Sequence, residues 1–350
     1  MSLMYLFFLS SGLFLGWSLG ANDVSNIFGA AVGSKMLKFK TAALIASVFI
    51  ILGAVFGGAG TTETLSELGE VNAISGAFMV ALAAGLAVYS MARAGLTTST
   101  SQAIVGGIIG WNIYTGNATN YMILIKIMTG WILCPLLAGL MAVLLYFVFK
   151  KVFHKMHIHV LRQDQLLRIG LILAGAFCTY ALGANNIANV MGVFVKTSPF
   201  EALKIGNLTF SAMQVLFFLG AIAISVGIFT YSQKVMLTVG KSVMRMSPFV
   251  AFVVVLAEAL VLFLFSSENL QSALLSLHLP AFPLVPVSST QAVIGAILGI
   301  GILKGGRGIN WTITARIVAG WVTTPLTTML ICFISLFFLE NVFHLTVFLP

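Results

Sequence analysis

Gly20-Ala21-Asn22-Asp23-Val24-Ser25-Asn26 and Gly183-Ala184-Asn185-Asn186-Ile187-Ala188-Asn189 are two versions of one heptad, set 163 positions apart. Each sits inside a stretch otherwise apolar enough to cross a bilayer. Leu3 to Leu19, with Phe7, Phe8, Leu13, Phe14 and Trp17, precedes the first, and Ile27 to Gly33 follows it. About 20 apolar residues span the hydrocarbon core, so Asn22, Asp23 and Asn26 fall near its midplane. Amides and a carboxylate are costly there, and by default they mark an ion or transport site. A lone Asn serves well enough as glue between helices. Three polar groups in five residues, echoed in the other half, exceed that role. The Gly-Ala pair lets each helix break, with amide side chains satisfying the freed backbone groups.

The composition agrees. Of 350 residues, 59% are hydrophobic and 8% charged, which describes an integral membrane protein with no large soluble domain. Met1-Ser2-Leu3-Met4 lacks the positive flank and cleavage site of a signal peptide and reads as the start of the first span. Cys134, Cys178 and Cys332 lie in apolar runs and read as packing residues, not a disulfide framework. The net charge of +9 invites nucleic acid as a partner, but in a membrane protein the position of charge outweighs its sum.

Apolar segments run over 3–34, 41–59, 71–92, 97–112, 121–149, 166–195, 205–230, 248–266, 284–302 and 312–340, five in each half. Alternating sides from an outside N-terminus, the inside loops total +13 and the outside loops −4, with 14 of the 18 Lys and Arg inside. That asymmetry is the expected orientation signal. Because five is odd, the second half enters from the opposite side, and both termini fall outside. The expected fold is an all-α polytopic membrane protein of two inverted repeats, about five segments each. Residues 1–149 form the first repeat, 150–165 a basic cytoplasmic linker, and 166–350 the second.

Three further landmarks repeat. Ser99-Thr100-Ser101-Gln102-Ala103-Ile104-Val105-Gly106 matches Ser288-Ser289-Thr290-Gln291-Ala292-Val293-Ile294-Gly295. Lys126-Ile127 with Gly130-Trp131 matches Arg316-Ile317 with Gly320-Trp321, and Pro135 matches Pro325. Inverted repeats with paired interrupted helices point to a secondary transporter whose site lies at the repeat interface. The hydroxyl clusters, Thr97 to Gln102 and Pro286 to Gln291, open segments short for a full span, so each reads as a half-helix or a re-entrant hairpin. Ser and Thr cap helices, with Gln completing a capping box. Beyond capping, a helix N-terminus offers free N–H groups and partial positive charge, which suits an anion.

The two Asn-rich heptads with the two Ser/Thr-Gln clusters resemble the inorganic phosphate transporter family of cation-coupled phosphate symporters. The likeness covers both halves. It implies phosphate and cations held between broken helices and Ser/Thr-tipped hairpins. By position it implicates Asn22, Asp23, Asn26, Asn185, Asn186 and Asn189 for the cation. For phosphate it implicates Asp23, Asn186, Ser99, Thr100, Ser101, Gln102, Ser288, Ser289, Thr290 and Gln291. Two departures stand out: Asn186 replaces a frequent Asp, and both clusters end in Gln where many members have His. The amide oxygens around Asp23 suit a hard cation, so sodium is the expected coupling ion, with protons kept open because Asp23 itself can carry one. No other cofactor is expected.

Other polar residues carry less. Lys126 and Arg316 sit near span ends, where long side chains snorkel to the interface. Glu258 is deep in Val255 to Leu260 and reads as functional or ion-paired. Glu63, in Thr61-Thr62-Glu63-Thr64, resembles a motif of that family but falls in an outside loop, where a solvated side chain is expected. His154, His157 and His159 lie in the basic linker, which suits a lipid surface better than a metal. An intramembrane enzyme is disfavoured, since no His lies in a span. An anion channel and a sulfate permease remain the competitors, with phosphate favoured because its monohydrogen form can donate a hydrogen bond to Asp23. The expected setting is the cytoplasmic membrane; self-association as a homodimer stays open.

Overall fold

The structure, a computed structural model, describes residues 3–93, 98–156, 159–233, 235–236, 243–244, 246–306 and 308–349. Twelve helices appear among them: α1 (Leu3–Gly33), α2 (Phe39–Gly57), α3 (Ala59–Leu68), α4 (Ile74–Arg93), α5 (Thr100–Thr115), α6 (Tyr121–Met156), α7 (Val160–Met191), α8 (Ala212–Gly227), α9 (Pro248–Ser266), α10 (Glu268–Ser276), α11 (Ser289–Leu303) and α12 (Trp311–Asn341). Eight of them are long and apolar enough to cross a membrane. A bilayer offers backbone groups no partner, so a chain this apolar satisfies them within helices. Starts are set by local chemistry. Ser211 and Gln214 form a capping box on α8, Ser247 with Pro248 opens α9, and Asn310 caps α12.

The helices pair in a pattern that exchanges the halves. Where α2 packs on α7, α8 packs on α1; where α6 packs on α11, α12 packs on α5; where α7 meets α9, α1 meets α4. The contacts match in detail. A Cβ on Gly53 would lie 2.0 Å from the Tyr180 carbonyl oxygen, and one on Gly227 2.0 Å from that of Trp17. One on Gly106 would lie 2.2 Å from the Pro325 oxygen, and one on Gly295 2.1 Å from that of Pro135. The two central helices run antiparallel: Gly12 lies against Phe194, Gly16 against Val190, and Asp23 bonds Asn186.

Both Asn-rich helices differ from expectation. α1 and α7 continue through their heptads without a break. The glycines serve close approach instead. A Cβ on Gly20 would sit 2.0 Å from the Ile224 carbonyl oxygen, and one on Gly183 2.4 Å from that of Ile50. The interruption lies in the short segments. α5 and α11, of 16 and 15 residues, begin at the centre and run toward opposite ends. Tyr114 of α5 donates to Glu340, the latter near the end of α12, at 2.5 Å, whereas Lys304, just past α11, lies over the Tyr146 ring of α6.

Two local elements were not foreseen. The stretch holding Glu63 is helical, with Glu63 exposed on α3 and Thr61, Thr62 and Thr64 buried. Residues 203–210, of which 205–210 were expected to open a span, form a hairpin pairing Leu203 with Phe210 and Ile205 with Leu208. Its turn is Gly206-Asn207, with φ 61° at Gly206. Lys126 is half-buried and Arg316 exposed, as snorkelling residues are. Thr97 and His157 lie outside the described residues.

Gly53→Ala drives a methyl into backbone that cannot move aside, and we expect a loss of about 1–3 kcal/mol, read as a lower melting temperature in detergent. Gly320→Ala has nothing within 4 Å of the new carbon and should melt within error of the parent. Equal melting of the two would deny the close contact of α2 with α7.

Candidate functional site

The site is built around Asp23, 2% exposed and about two-thirds of the way along α1. Its Oδ1 accepts from Asn22 Nδ2 at 2.8 Å. Its Oδ2 accepts from Asn186 Nδ2 of α7 at 3.2 Å and from Ser289 Oγ of α11 at 2.8 Å. A carboxylate offers about four lone-pair positions, so three donors leave room for one more partner. Asn189 Nδ2 then donates to Asn186 Oδ1 at 3.0 Å and sets which way that amide faces.

The two half-helix tips meet over this carboxylate. Thr290 Oγ1 donates to the Thr98 carbonyl at 2.9 Å, and Asn22 Nδ2 reaches the same oxygen at 3.5 Å. Asn185, the counterpart of Asn22, donates to the Val285 carbonyl ahead of α11 at 3.4 Å. The capping residues repeat almost identically. Ser99 accepts from Gln102 N at 3.3 Å and Ser288 from Gln291 N at 3.2 Å. Their backbones sit at φ −103°, ψ 113° and φ −94°, ψ 117°. Ser101 shares a hydrogen bond with Ser99.

Position along each tip therefore divides the labour. Ser99 and Ser288 shape the helix ends, and Ser289, one residue inside α11, turns to the carboxylate. Several buried oxygens have no hydrogen-bond partner: Thr98 Oγ1, Thr100 Oγ1, Gln102 Oε1, Asn185 Oδ1, Asn189 Oδ1 and Gln291 Oε1. Buried polar atoms are normally paired, so such a concentration on two heptads and two tips marks where a ligand's polar atoms belong. No Lys or Arg belongs to this set, and the salt bridge found among the described residues, Lys196 with Glu70, joins exposed side chains.

The model of the phosphate transporter family matches residues 19–332, from just ahead of Asn22 through both halves. The chain belongs to the phosphate transporter family. It is 27% identical to a candidate phosphate permease of Methanocaldococcus jannaschii, over 92% of this chain and 93% of that one. It is 24% identical to a candidate phosphate permease of Haemophilus influenzae, over 95% and 96%. Among solved structures it resembles a protein described as the sodium-dependent phosphate transporter, at 23% identity and TM-score 0.76, covering 97% of this chain and 99% of that one. At that identity the likeness speaks for the fold.

In this phosphate transporter family member, most of the residues read from sequence converge. Asn22, Asp23, Asn185, Asn186, Asn189, Ser289 and Thr290 are joined by hydrogen bonds within the site or to the segments before the half-helices, and Thr100, Ser101, Gln102 and Gln291 are buried at the tips. Asn26 is half-buried, with an unpartnered Nδ2. Sequence reasoning did not assign Thr98, whose carbonyl bridges the tips, or Thr61 and Thr64. Thr61 Oγ1 donates to the Ala184 carbonyl at 3.2 Å and Thr64 Oγ1 to the Leu284 carbonyl at 2.5 Å, tying α3 to the site. The clustering of three threonines around Glu63 was the available signal.

Ser288→Ala and Ser289→Ala should separate capping from binding. Losing the Ser288 cap is expected to cost about 1 kcal/mol of thermal stability with phosphate affinity kept. Losing the Ser289 donor to the buried Asp23 carboxylate should cost about 1.5–3 kcal/mol of stability and weaken phosphate binding as well. Equal effects on melting and on phosphate binding for both variants would contradict this division.

Proposed function

We propose that the chain imports inorganic phosphate in symport with sodium, by alternating access to one site between its two halves. The observation that carries this reading is that Asn22 and Asn186, from opposite halves, and Ser289, from a half-helix tip, all donate to the single carboxylate of Asp23. A group held by both halves senses their relative movement.

The chemistry of the donors supports each part. Phosphate is served by hydroxyls, amide N–H groups and the first-turn N–H groups of α5 and α11, which carry partial positive charge. Sodium is served by the amide oxygens of Asn185, Asn186 and Asn189 with Asp23, and Asn22 and Asn26 complete the group proposed for it. A hard cation selects such oxygens. Monohydrogen phosphate can also donate into the remaining lone pair of Asp23, which sulfate cannot. Site residues are at most 3% exposed, apart from Asn26, so access requires a conformational step.

The antiparallel course of α1 and α7 supports an inverted repeat, with the exchanged pairings as its internal symmetry. Lys and Arg gathered on the proposed cytoplasmic side support outward termini in the cytoplasmic membrane. The exposed turns placed outside do meet one another, through Lys196 with Glu70 and through Asn72, which bonds Leu349.

The test is radiolabelled phosphate uptake into proteoliposomes under imposed sodium or proton gradients, with excess unlabelled sulfate. Sodium-driven accumulation that resists sulfate is expected; passive equilibration alone would make the protein a channel. Asp23→Asn preserves the shape of the site and removes its charge, so uptake should collapse together with its sodium dependence. Normal transport by that variant, with unchanged sodium dependence, would place the cation elsewhere.

A further inference from the structure

Two cations converge on one aromatic ring at the end of the bundle proposed above as cytoplasmic. Lys150 of α6 and Lys304, just past α11, place their Nζ atoms 5.9 and 5.7 Å from the centroid of the Tyr146 ring. That ring is packed against Phe249, at the start of α9, with centroids 5.5 Å apart and planes at 65°. Both lysines are exposed, and Tyr146 is half-buried. The group joins the two halves of the chain, α6 from the first and α9 and α11 from the second.

These helices supply no counter-charge there. Neither α6 nor α11 contains an Asp or Glu, and none follows between Lys304 and Asn310. The one acid of α9, Glu258, is buried at mid-length. The salt bridge found among the described residues lies elsewhere, between Lys196 and Glu70. A ring attracts an exposed ammonium group only weakly, and two ammonium groups drawn to the same ring repel each other. An anion grasped by both removes that repulsion, and the flexible lysine stems can turn to it.

The surface beside the cations decides which kind of anion fits. Leu136, Leu140, Leu144 and Phe147 are exposed at helical spacing along one face of α6, and that face ends at Lys150 and Lys151. Ile302 is exposed just before Lys304. A soluble anion makes no use of such a stripe, whereas the acyl chain of a phospholipid does. The cytoplasmic leaflet is also the one rich in anionic headgroups. A second copy of the chain seated there would set lysines against lysines. We propose that Lys150, Lys304 and the Tyr146 ring bind the headgroup phosphate of an anionic phospholipid, with an acyl chain lying on the α6 stripe. The headgroup then ties the outer end of α11, whose tip carries Ser289, to α6. None of this depends on the symport reading.

The test is native mass spectrometry of the purified full chain in a non-ionic detergent, with phosphatidylglycerol and phosphatidylcholine of equal chain length added in equimolar amounts. Phosphatidylglycerol should be retained in preference, by roughly fivefold for each lysine engaged. The double variant Lys150→Gln with Lys304→Gln changes only exposed side chains, so it should fold and lose most of that preference. Tyr146→Phe keeps the ring and should keep the preference. As a control, Lys38→Gln with Lys40→Gln removes as much charge from the same side and should bind as the parent does. A parent-like preference in the Lys150 and Lys304 variant, or an equal loss in the control, overturns the proposal. So does glycerophosphate binding that depends on the two lysines, which would make the site one for a soluble anion. A dimer that disappears in the Lys150 and Lys304 variant, with no lipid preference in the parent, would assign the surface to a second copy instead.

Discussion

The structure depends on keeping one carboxylate, Asp23, in the middle of an apolar bundle with no basic side chain beside it among the described residues. Burying an ion costs several kcal/mol even after relaxation, and only good partners recover it. Here the partners are neutral donors: Asn22 from its own helix, Asn186 from α7 and Ser289 from α11. Those three helices must therefore meet at one point. The glycines make the approach possible, since Gly20 and Gly183 sit against the backbones of α8 and α2 at distances no side chain tolerates. The amide that reaches Asp23 from α7 is itself oriented by Asn189. Loss of any one donor leaves the charge less well solvated, which is why so many polar groups in this region have fixed places.

The two halves share a framework and differ in charge. Glycine contacts, caps and proline positions recur almost unchanged, as at Gly106 with Pro325 and Gly295 with Pro135. At the centre the repeat breaks, with Asp23 facing Asn186 across antiparallel helices. Two carboxylates at that contact would repel in a medium of low dielectric. An amide opposite a carboxylate instead donates to it. The framework can stay symmetric while the contact keeps one charge.

Much of this was legible in the sequence. The heptads, the hydroxyl clusters and the order of apolar segments located α1, α2, α4 to α9, α11 and α12, because apolar length and intramembrane polarity are strong constraints. The supposed helix breaks were not legible. Gly-Ala ahead of Asn22 suits a broken helix and a close helix contact equally, and only the position of Ile224 decides between them. The roles of adjacent hydroxyls were hidden for a similar reason. The pattern Ser-x-x-Gln names the cap, but which neighbour turns toward Asp23 depends on how α11 docks. The hairpin could have been found: Gly206-Asn207 between short apolar runs is a turn signal. The apolarity from Ile205 onward drew the turn and the second strand into the following span.

Charge balance bears on the order of events in the proposed symport. The described core carries carboxylates at Asp23 and Glu258 and no buried Lys or Arg. An anion entering such a chamber meets repulsion that hydroxyls and helix N-termini offset only in part, since a helix end is worth about half an elementary charge. On the proposed symport reading, cations therefore arrive with phosphate or before it. In a chamber lined by arginine an anion would bind alone and leave alone. On that reading, the lack of basic residues among the described core is what makes co-binding obligatory. Obligatory co-binding is what would let a cation gradient do work on phosphate.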